Sequence, residues 1–234
     1  MSAKQKVSVV IPAWNAERYL EEALESVVGQ TVAAHEIIVV DDGSTDATAA
    51  ICGRSPDVRY VHQPNSGAGA ARNLGVALSA GDVLAFLDAD DLWLPEKTAQ
   101  QLSLLDDPDV DAVFGSGMNF VSPDRAEELS SLSFDATIRA AYIPSAMMIK
   151  RHVFDAHGSF STGGSLTDWV EWYLRFLDSG ARVALSPTLV VRRRIHGANA
   201  TMNDPAGMKA YVRMVKSSID RRRTQNVGSP SSGS

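Results

Sequence analysis

Over roughly its first hundred residues the chain alternates short apolar runs with segments of helical period, and that alternation leaves few folds open. "KVSVVIP" (6–12), "EIIVVDD" (36–42), "VRYVH" (58–62) and "DVLAFLD" (82–88) are β-branched or apolar runs bounded by turn residues. Continuous apolar runs of this kind mark strands buried on both faces, as in a parallel sheet. Between the first two, Leu20, Ala23, Leu24, Val27 and Val28 fall at i, i+3, i+4, i+7 and i+8, one face of a helix with Asn15 as its expected cap. A second helix is expected from Ser44 or Thr45 and a third over 67–79. Strand, helix, strand repeated in this way builds crossover units, so the fold class is α/β: a mostly parallel, Rossmann-like sheet flanked by helices. Ligands of such sheets bind beyond the carboxyl ends of the strands.

The second half is less regular. "DAVFGSGMNFV" (111–121), "SAMMIK" (145–150), "ARVALS" (181–186) and "TLVVRRRIH" (188–196) read as strands, and 122–140 is a Ser- and acid-rich stretch without pattern. In "GGSLTDWVEWYLRFLDSG" (163–180), Trp169, Trp172, Tyr173 and Phe176 make an aromatic stripe at helical spacing, expected to be core, with Gly180 as a stop. Residues 206–223 read as an amphipathic basic helix. Docking on the domain is preferred for it over lying against an anionic membrane surface. One domain is expected over 1–224, then a flexible tail over 225–234.

Composition excludes several classes. A net charge of −6 lacks the basic surplus of a general nucleic-acid binder. Cys52 is the single cysteine, so no intrachain disulfide, zinc knuckle or CxxC redox pair can form. The absence of a basic-plus-apolar leader and of any 18-residue apolar run leads to the expectation of a soluble, cytoplasmic protein.

The strand ends carry the chemistry. Asp41 and Asp42 close the second run; Asp88, Asp90 and Asp91 close the fourth. Residues i and i+2 of an extended segment project to one side, so Asp88 and Asp90 are expected to converge while Ala89 points away. Hard oxygen donors that close together repel unless a cation lies between them, and carboxylates suit Mg²⁺ or Mn²⁺. Such an ion attracts a diphosphate. The alternative is that these aspartates cap loops and helices. Gly67, Ala68 and Gly69 put small residues at a helix start, either for close approach of a nucleotide or for tight packing.

Taken with "SVVIPAWNAERYLEEALESV", "IIVVDDGSTDAT" and "GAGAARNLGVALSAGDVLAFLDADD", this order of motifs resembles the family 2 glycosyltransferases, which have the GT-A fold. The resemblance implies a nucleotide-sugar-binding half over 1–100, an acceptor-binding half over 101–204 and a C-terminal helix over 205–224. It implies that the DxD of Asp88, Ala89 and Asp90 carries Mn²⁺ or Mg²⁺ on the donor diphosphate, with Asp90 the more direct ligand. It places Asp41 toward the base with Asp42 nearby, has Pro12, Ala13, Trp14 and Asn15 frame base and ribose, and puts Arg72 and Asn73 on the donor side. "GAGAAR" is no dinucleotide fingerprint, since it lacks the third Gly and does not follow the first strand.

Inverting transfer needs a base for the acceptor hydroxyl and stabilisation of the departing phosphate. The family places an acid of an "ED" pair at a helix start; here Thr167 and Asp168 occupy that stretch, so Asp168 is the candidate base. Asp168 also fits a near capping box with Ser165, and Glu171 is a second possible base. "RRRIHGANAT" resembles the closing R-x-H-x-x-N motif, with Arg194, His196 and Asn199 in place. This implies His196 on the metal or a phosphate and Arg194 as a phosphate clamp. Trp93, beside the carboxylates, either stacks on a sugar or packs locally. The expected activity is metal-dependent, inverting transfer from a nucleotide sugar, with a UDP-sugar as the expected donor. The acceptor is unassigned among saccharides, lipids, peptides and small molecules. The rival readings are a haloacid-dehalogenase-type phosphatase and a non-catalytic nucleotide-sugar binding module.

Overall fold

The computed structural model describes residues 5–130, 136–162 and 167–197, with isolated helical positions at 209, 213, 214 and 216. Asn199, Ser165, most of the expected C-terminal helix and the 225–234 tail lie outside the described residues. The first half follows the expected alternation: β1 (Val7–Ala13), α1 (Leu20–Val28), β2 (Glu36–Asp41), α2 (Thr48–Gly53), β3 (Val58–His62), α3 (Ala68–Leu78) and β4 (Val83–Phe86). The second half adds β5 (Leu92–Trp93), α4 (Lys97–Leu105), β6 (Ala112–Val121), β7 (Arg139–Ala141), β8 (Met148–Lys150), α5 (Arg151–His157), α6 (Thr167–Asp178) and β9 (Val183–Ile195).

The described strands form one sheet in the order β3-β2-β1-β4-β8-β6-β9-β5, with β7 also on β6. β3, β2, β1 and β4 are parallel. β8 runs against both β4 and β6, while β9 is parallel to β6. β6 and β9 therefore run in the same sense as β4, and the carboxyl end of β9 returns to the edge where β1, β2 and β4 end.

Successive residues of β1 explain why its run is unbroken. Val7, Val9, Ile11 and Ala13 pack in one core with Leu20, Ala23, Leu24 and Val27 of α1. Val10 faces the other core, with Phe86, Val76 of α3 and the α6 aromatics Trp172 and Phe176. Of the expected core stripe, Trp172 and Phe176 are fully buried, while Trp169 and Tyr173 are half-buried and pack against them. α3 approaches β1 closely: a Cβ on Gly75 would lie 2.3 Å from Val10 Cγ1.

Some boundaries differ from the sequence reading, each for a local reason. Val28 is 54% exposed, whereas Val27 beside it is buried, so the core-facing stripe of α1 ends at Val27. Asn15 does not cap α1, whose N-cap is Tyr19; it adopts a positive φ of 48° and accepts a hydrogen bond from the Thr45 N–H. α2 starts at Thr48, later than expected, because side chains of Asp41, Asn15 and Glu17 take the N–H groups of Ser44, Thr45 and Ala47. The runs 181–186 and 188–196 join as one strand, β9, whose pairing with β6 shifts register on either side of Ser116, which pairs with Leu189 and whose hydroxyl donates to the Pro187 carbonyl. Proline cannot donate to the ladder, so the strand bulges there. The 145–150 run is extended from Met148 onward, since Pro144–Ala146 forms a 3₁₀ turn.

One lysine is fully inside. Lys97 Nζ lies 4.2 Å over the Trp93 ring and donates to Gln101 Oε1 at 2.5 Å. Burial pushes its pKa well below the ordinary 10.5. The unfolded chain thus binds more protons than the folded one between that depressed value and 10.5, so this group makes stability rise with pH across that window. In urea denaturation at pH 7 and pH 9, the gain in unfolding free energy with pH is expected to be larger for the wild type than for Lys97→Met. Equal gains would show Lys97 charged in the native state.

Candidate active site

The carboxyl edge of the sheet gathers the loops after β1, β2 and β4, the start of α3, the start of α6 and the end of β9. The first two loops clasp each other. Asn15 N–H donates to Ser44 Oγ, Ala16 N–H to Thr48 Oγ1 and Glu17 N–H to Asp46 Oδ2. Pro12 and Ala13 are buried at the end of β1, and the Ala13 carbonyl accepts from the Asp42 N–H at 2.7 Å. Trp14, at the rim of this clasp, is 60% exposed.

Asp41 and Asp42 are both buried and serve different loops. Asp41 accepts from the Ser44 N–H at 2.8 Å and from the Tyr60 hydroxyl at 2.7 Å. Asp42 accepts from Gln63 Nε2 and from the N–H groups of Ser66 and Gly67, so one carboxylate fixes the entry to α3. Asp41 raises the Tyr60 phenol to about 12, with burial the larger cause. Burial likewise pushes the nearby Cys52 thiol to about 11, which leaves it unreactive.

The expected convergence of Asp88 and Asp90 on an extended segment gives way to a turn. β4 ends at Phe86, and the Asp91 N–H donates back to the Asp88 carbonyl at 3.0 Å. Asp88 and Asp90 consequently take separate partners. Asp88 Oδ1 pairs with Arg72 Nη2 of α3 at 2.5 Å, while Asp90 Oδ2 meets His196 Nε2 at 2.9 Å. The Ala89 side chain packs into the first core, leaving its backbone to the turn. Asp91 is buried beneath. Burial, then the charges of Asp90 and Asp88, push its carboxyl well above the usual range. The Ser145 hydroxyl accepts from the Asp88 N–H and bonds Asp91, so one side chain stitches the turn to the 144–146 segment.

Arg194 differs most from the sequence expectation. Its side chain is almost wholly inside the protein, at 1% exposure, rather than projecting as a clamp. Nε donates to the Asp90 carbonyl at 3.0 Å, Nη2 pairs with Glu22 Oε2 of α1 at 2.7 Å, and Nη1 reaches Ser122 Oγ at 3.3 Å. Its backbone N–H donates to Asp91 Oδ1. Phosphate binding is not available to a fork spent on these groups; Arg194 holds the turn in shape.

Asp168, at the start of α6, is 6% exposed and lies against the start of α3. A Cβ on Gly69 would lie 2.2 Å from the Ser161 carbonyl and 3.1 Å from Asp168 Oδ2. Asn73 brackets the approaching segment, donating to the Phe160 carbonyl and accepting from the Phe160 N–H. Glu171, the alternative base, has one oxygen on Ser161 Oγ and the other on Arg175. Trp93 is buried in β5 and donates to the Ser145 carbonyl, so its ring packs locally and no sugar can stack on it.

Sequence reading missed Tyr19, Glu22, Tyr60 and Ser145. Tyr19 and Glu22 carried a signal, being one helical turn apart at the start of α1 beside the strand ends. Ser145 and Tyr60 carried none.

Residues 8–163 match the model of Glycosyl transferase family 2. The chain belongs to that family. Glycosyltransferase GlyG of Streptococcus pneumoniae is 29% identical over 220 residues, 82% of this chain and 72% of that protein. Three other curated relatives match 105 to 110 residues at 42–44% identity, and this match spans 17% to 34% of their length. Among solved structures, S. aureus TarS 1–349 in complex with UDP-GlcNAc superposes with a TM-score of 0.66 at 18% identity, over 85% of this chain and 61% of that one. Mannosyltransferase PcManGT from Pyrobaculum calidifontis, in complex with GDP-Man and Mn²⁺, gives 0.64 at 22% identity over 85% and 59%. The fold is therefore GT-A. A phosphatase reading fails with this result, and DxD follows the fourth strand rather than the first. No helix among the described residues is long and apolar enough to cross a membrane.

Gly69→Ala should cost about 1–3 kcal/mol, as overpacking does, and should shift Asp168. Gly53→Ala, with nothing within 4 Å, should gain about 0.4–1 kcal/mol. Thermal denaturation of the two variants checks this; equal melting temperatures would contradict the tight α3–α6 approach.

Proposed function

We propose that this protein transfers a sugar from a nucleotide sugar, with UDP-sugars the first choice, to an acceptor hydroxyl by a single, inverting displacement that uses a divalent cation. The observation that carries this is the meeting of Asp90 with His196 at 2.9 Å on the same sheet edge as the buried Asp168. The complexes of TarS with UDP-GlcNAc and of PcManGT with GDP-Man and Mn²⁺ support it.

The residues fit such an ion. No three His, Cys, Asp or Glu side chains gather into a closed metal site among the described residues. A carboxylate with one imidazole is instead a half-shell of the kind that Mg²⁺ and Mn²⁺ complete with water and substrate phosphates. Asp90 and His196 would hold the ion, with Asp88 beside them. When bound, it would supply positive charge to the departing diphosphate oxygens.

The remaining roles belong to the protein. Trp14 and the Pro12–Asn15 loop frame base and ribose, and Asp41 faces the base from the end of β2, held by the Ser44 N–H and the Tyr60 hydroxyl. Asp42 keeps the start of α3 open to the donor. Arg72, whose buried Nε has no hydrogen-bond partner, holds Asp88 and adds positive charge on the donor side. Asp168 takes the proton from the acceptor hydroxyl as its oxygen bonds to the anomeric carbon and the bond to the diphosphate breaks. Residues 1–100 serve the donor and 101–204 the acceptor.

A screen of UDP-, GDP- and dTDP-sugars by thermal shift and nucleotide release, with and without Mn²⁺, tests the reading. At least one donor should stabilise the protein more with Mn²⁺. Asp90→Ala should remove that increment and most turnover. Asp168→Asn should keep donor binding and lose about 10²–10⁴-fold in transfer, the usual worth of a general base. Turnover by Asp90→Ala within a few-fold of wild type would refute the metal role, and near-normal transfer by Asp168→Asn would move the base elsewhere.

A further inference from the structure

Tyr19, which no part of the scheme above uses, touches both side chains that hold Asp90. Its ring lies 4.9 Å from the His196 ring, tilted by 44°, and 4.6 Å from the Arg194 guanidinium. It is buried, at 8% exposure, and its hydroxyl donates to Asp124 Oδ2 at 3.4 Å. His196 grips the Asp90 carboxylate and Arg194 grips the Asp90 carbonyl. The two ends of one residue are therefore fixed by two groups that share one aromatic ring.

The need for such a face follows from where His196 sits. β9 ends at Ile195 and Gly197 has a positive φ of 81°, so the ladder does not hold the His196 backbone. An imidazole just past a strand end has rotamers to choose from, and a ring packed on it removes those that turn Nε2 away from Asp90. Arg194 gains a cation–π contact with the same ring beside its pair to Glu22. Glu22 lies three residues after Tyr19, so a single helical turn of α1 presents both the ring and the carboxylate.

We infer that Tyr19 is a positioning residue for glycosyl transfer: through His196 and Arg194 it sets the geometry of Asp90, and so the affinity for a nucleoside diphosphate in the presence of a divalent cation. The inference rests on the role proposed for Asp90 and His196.

Isothermal titration of the full chain with UDP, GDP and dTDP, with and without Mn²⁺, tests it on four proteins: wild type, Tyr19→Phe, Tyr19→Leu and Phe154→Leu. Phe154 is buried in the other core, against Trp172 and Phe160, so its truncation controls for loss of stability alone. Tyr19→Leu should weaken Mn²⁺-dependent binding of the preferred nucleotide tenfold or more and raise the Mn²⁺ concentration needed for half-maximal binding. Tyr19→Phe, which keeps the ring, should restore both to within twofold of wild type. Phe154→Leu should lower the melting temperature and leave affinity unchanged. Tyr19→Leu binding as wild type does, or Phe154→Leu weakening binding equally, would overturn the role of Tyr19 alone. A wild type with no Mn²⁺-dependent binding of any of the three would overturn the proposed function as well.

Discussion

The rest of the site depends on one buried charge. The Arg194 guanidinium is removed from water, and carbonyl, hydroxyl and carboxylate groups from three separate elements surround it, with the rings of Tyr19 and Phe120 against it. Taking away one partner of such a group leaves an uncompensated charge, which is far more damaging than never having had it. The contact is thus specific as well as stabilising: α1, the turn after β4 and Ser122 just past β6 each supply an oxygen to a guanidinium carried by β9. That shared demand keeps Asp88, Asp90 and Asp91 within one turn despite their mutual repulsion.

The proposed donor side is organised in the same spirit with lighter means. The loops after β1 and β2 have no regular structure, yet their N–H groups are taken by Ser44, Thr48, Asp46, Asn15 and Glu17 across the gap. Backbone groups satisfied by side chains give a loop rim that is fixed before a ligand arrives, and less ordering remains to be done on binding. Trp14 stands exposed on this fixed rim, in a position to meet a flat ring.

The sheet was legible because its physics is local. β1, β2 and β4 are buried on both faces, so their apolar runs have no gaps, and the α1 face repeats at helical spacing up to Val27. The same locality explains the errors. Asn15 has the chemistry of a cap, but its side chain found the Thr45 N–H across a loop, a partner far away in sequence. Asp88 and Asp90 have the spacing of a shared site, but the turn gives them different partners, Arg72 and His196. The family resemblance pointed to Asp168 and His196 as candidates, and the structure puts both on the carboxyl edge. Tyr19 matters through neighbours more than a hundred residues distant, and Ser145 through Asp88, 57 positions earlier, which a single sequence does not show.

The long strand β9 has one more effect. The Asp90 side chain meets a partner 106 positions later, and its carbonyl meets one 104 positions later. The front part of the chain, although it carries most of the nucleotide motifs, is therefore no detachable cartridge. During synthesis the β-strands of the first hundred residues can collapse early, while the acidic turn stays unfinished until the ribosome has released the segment near 196. The carboxyl edge is complete only once β9 and His196 are in place beside the acidic turn.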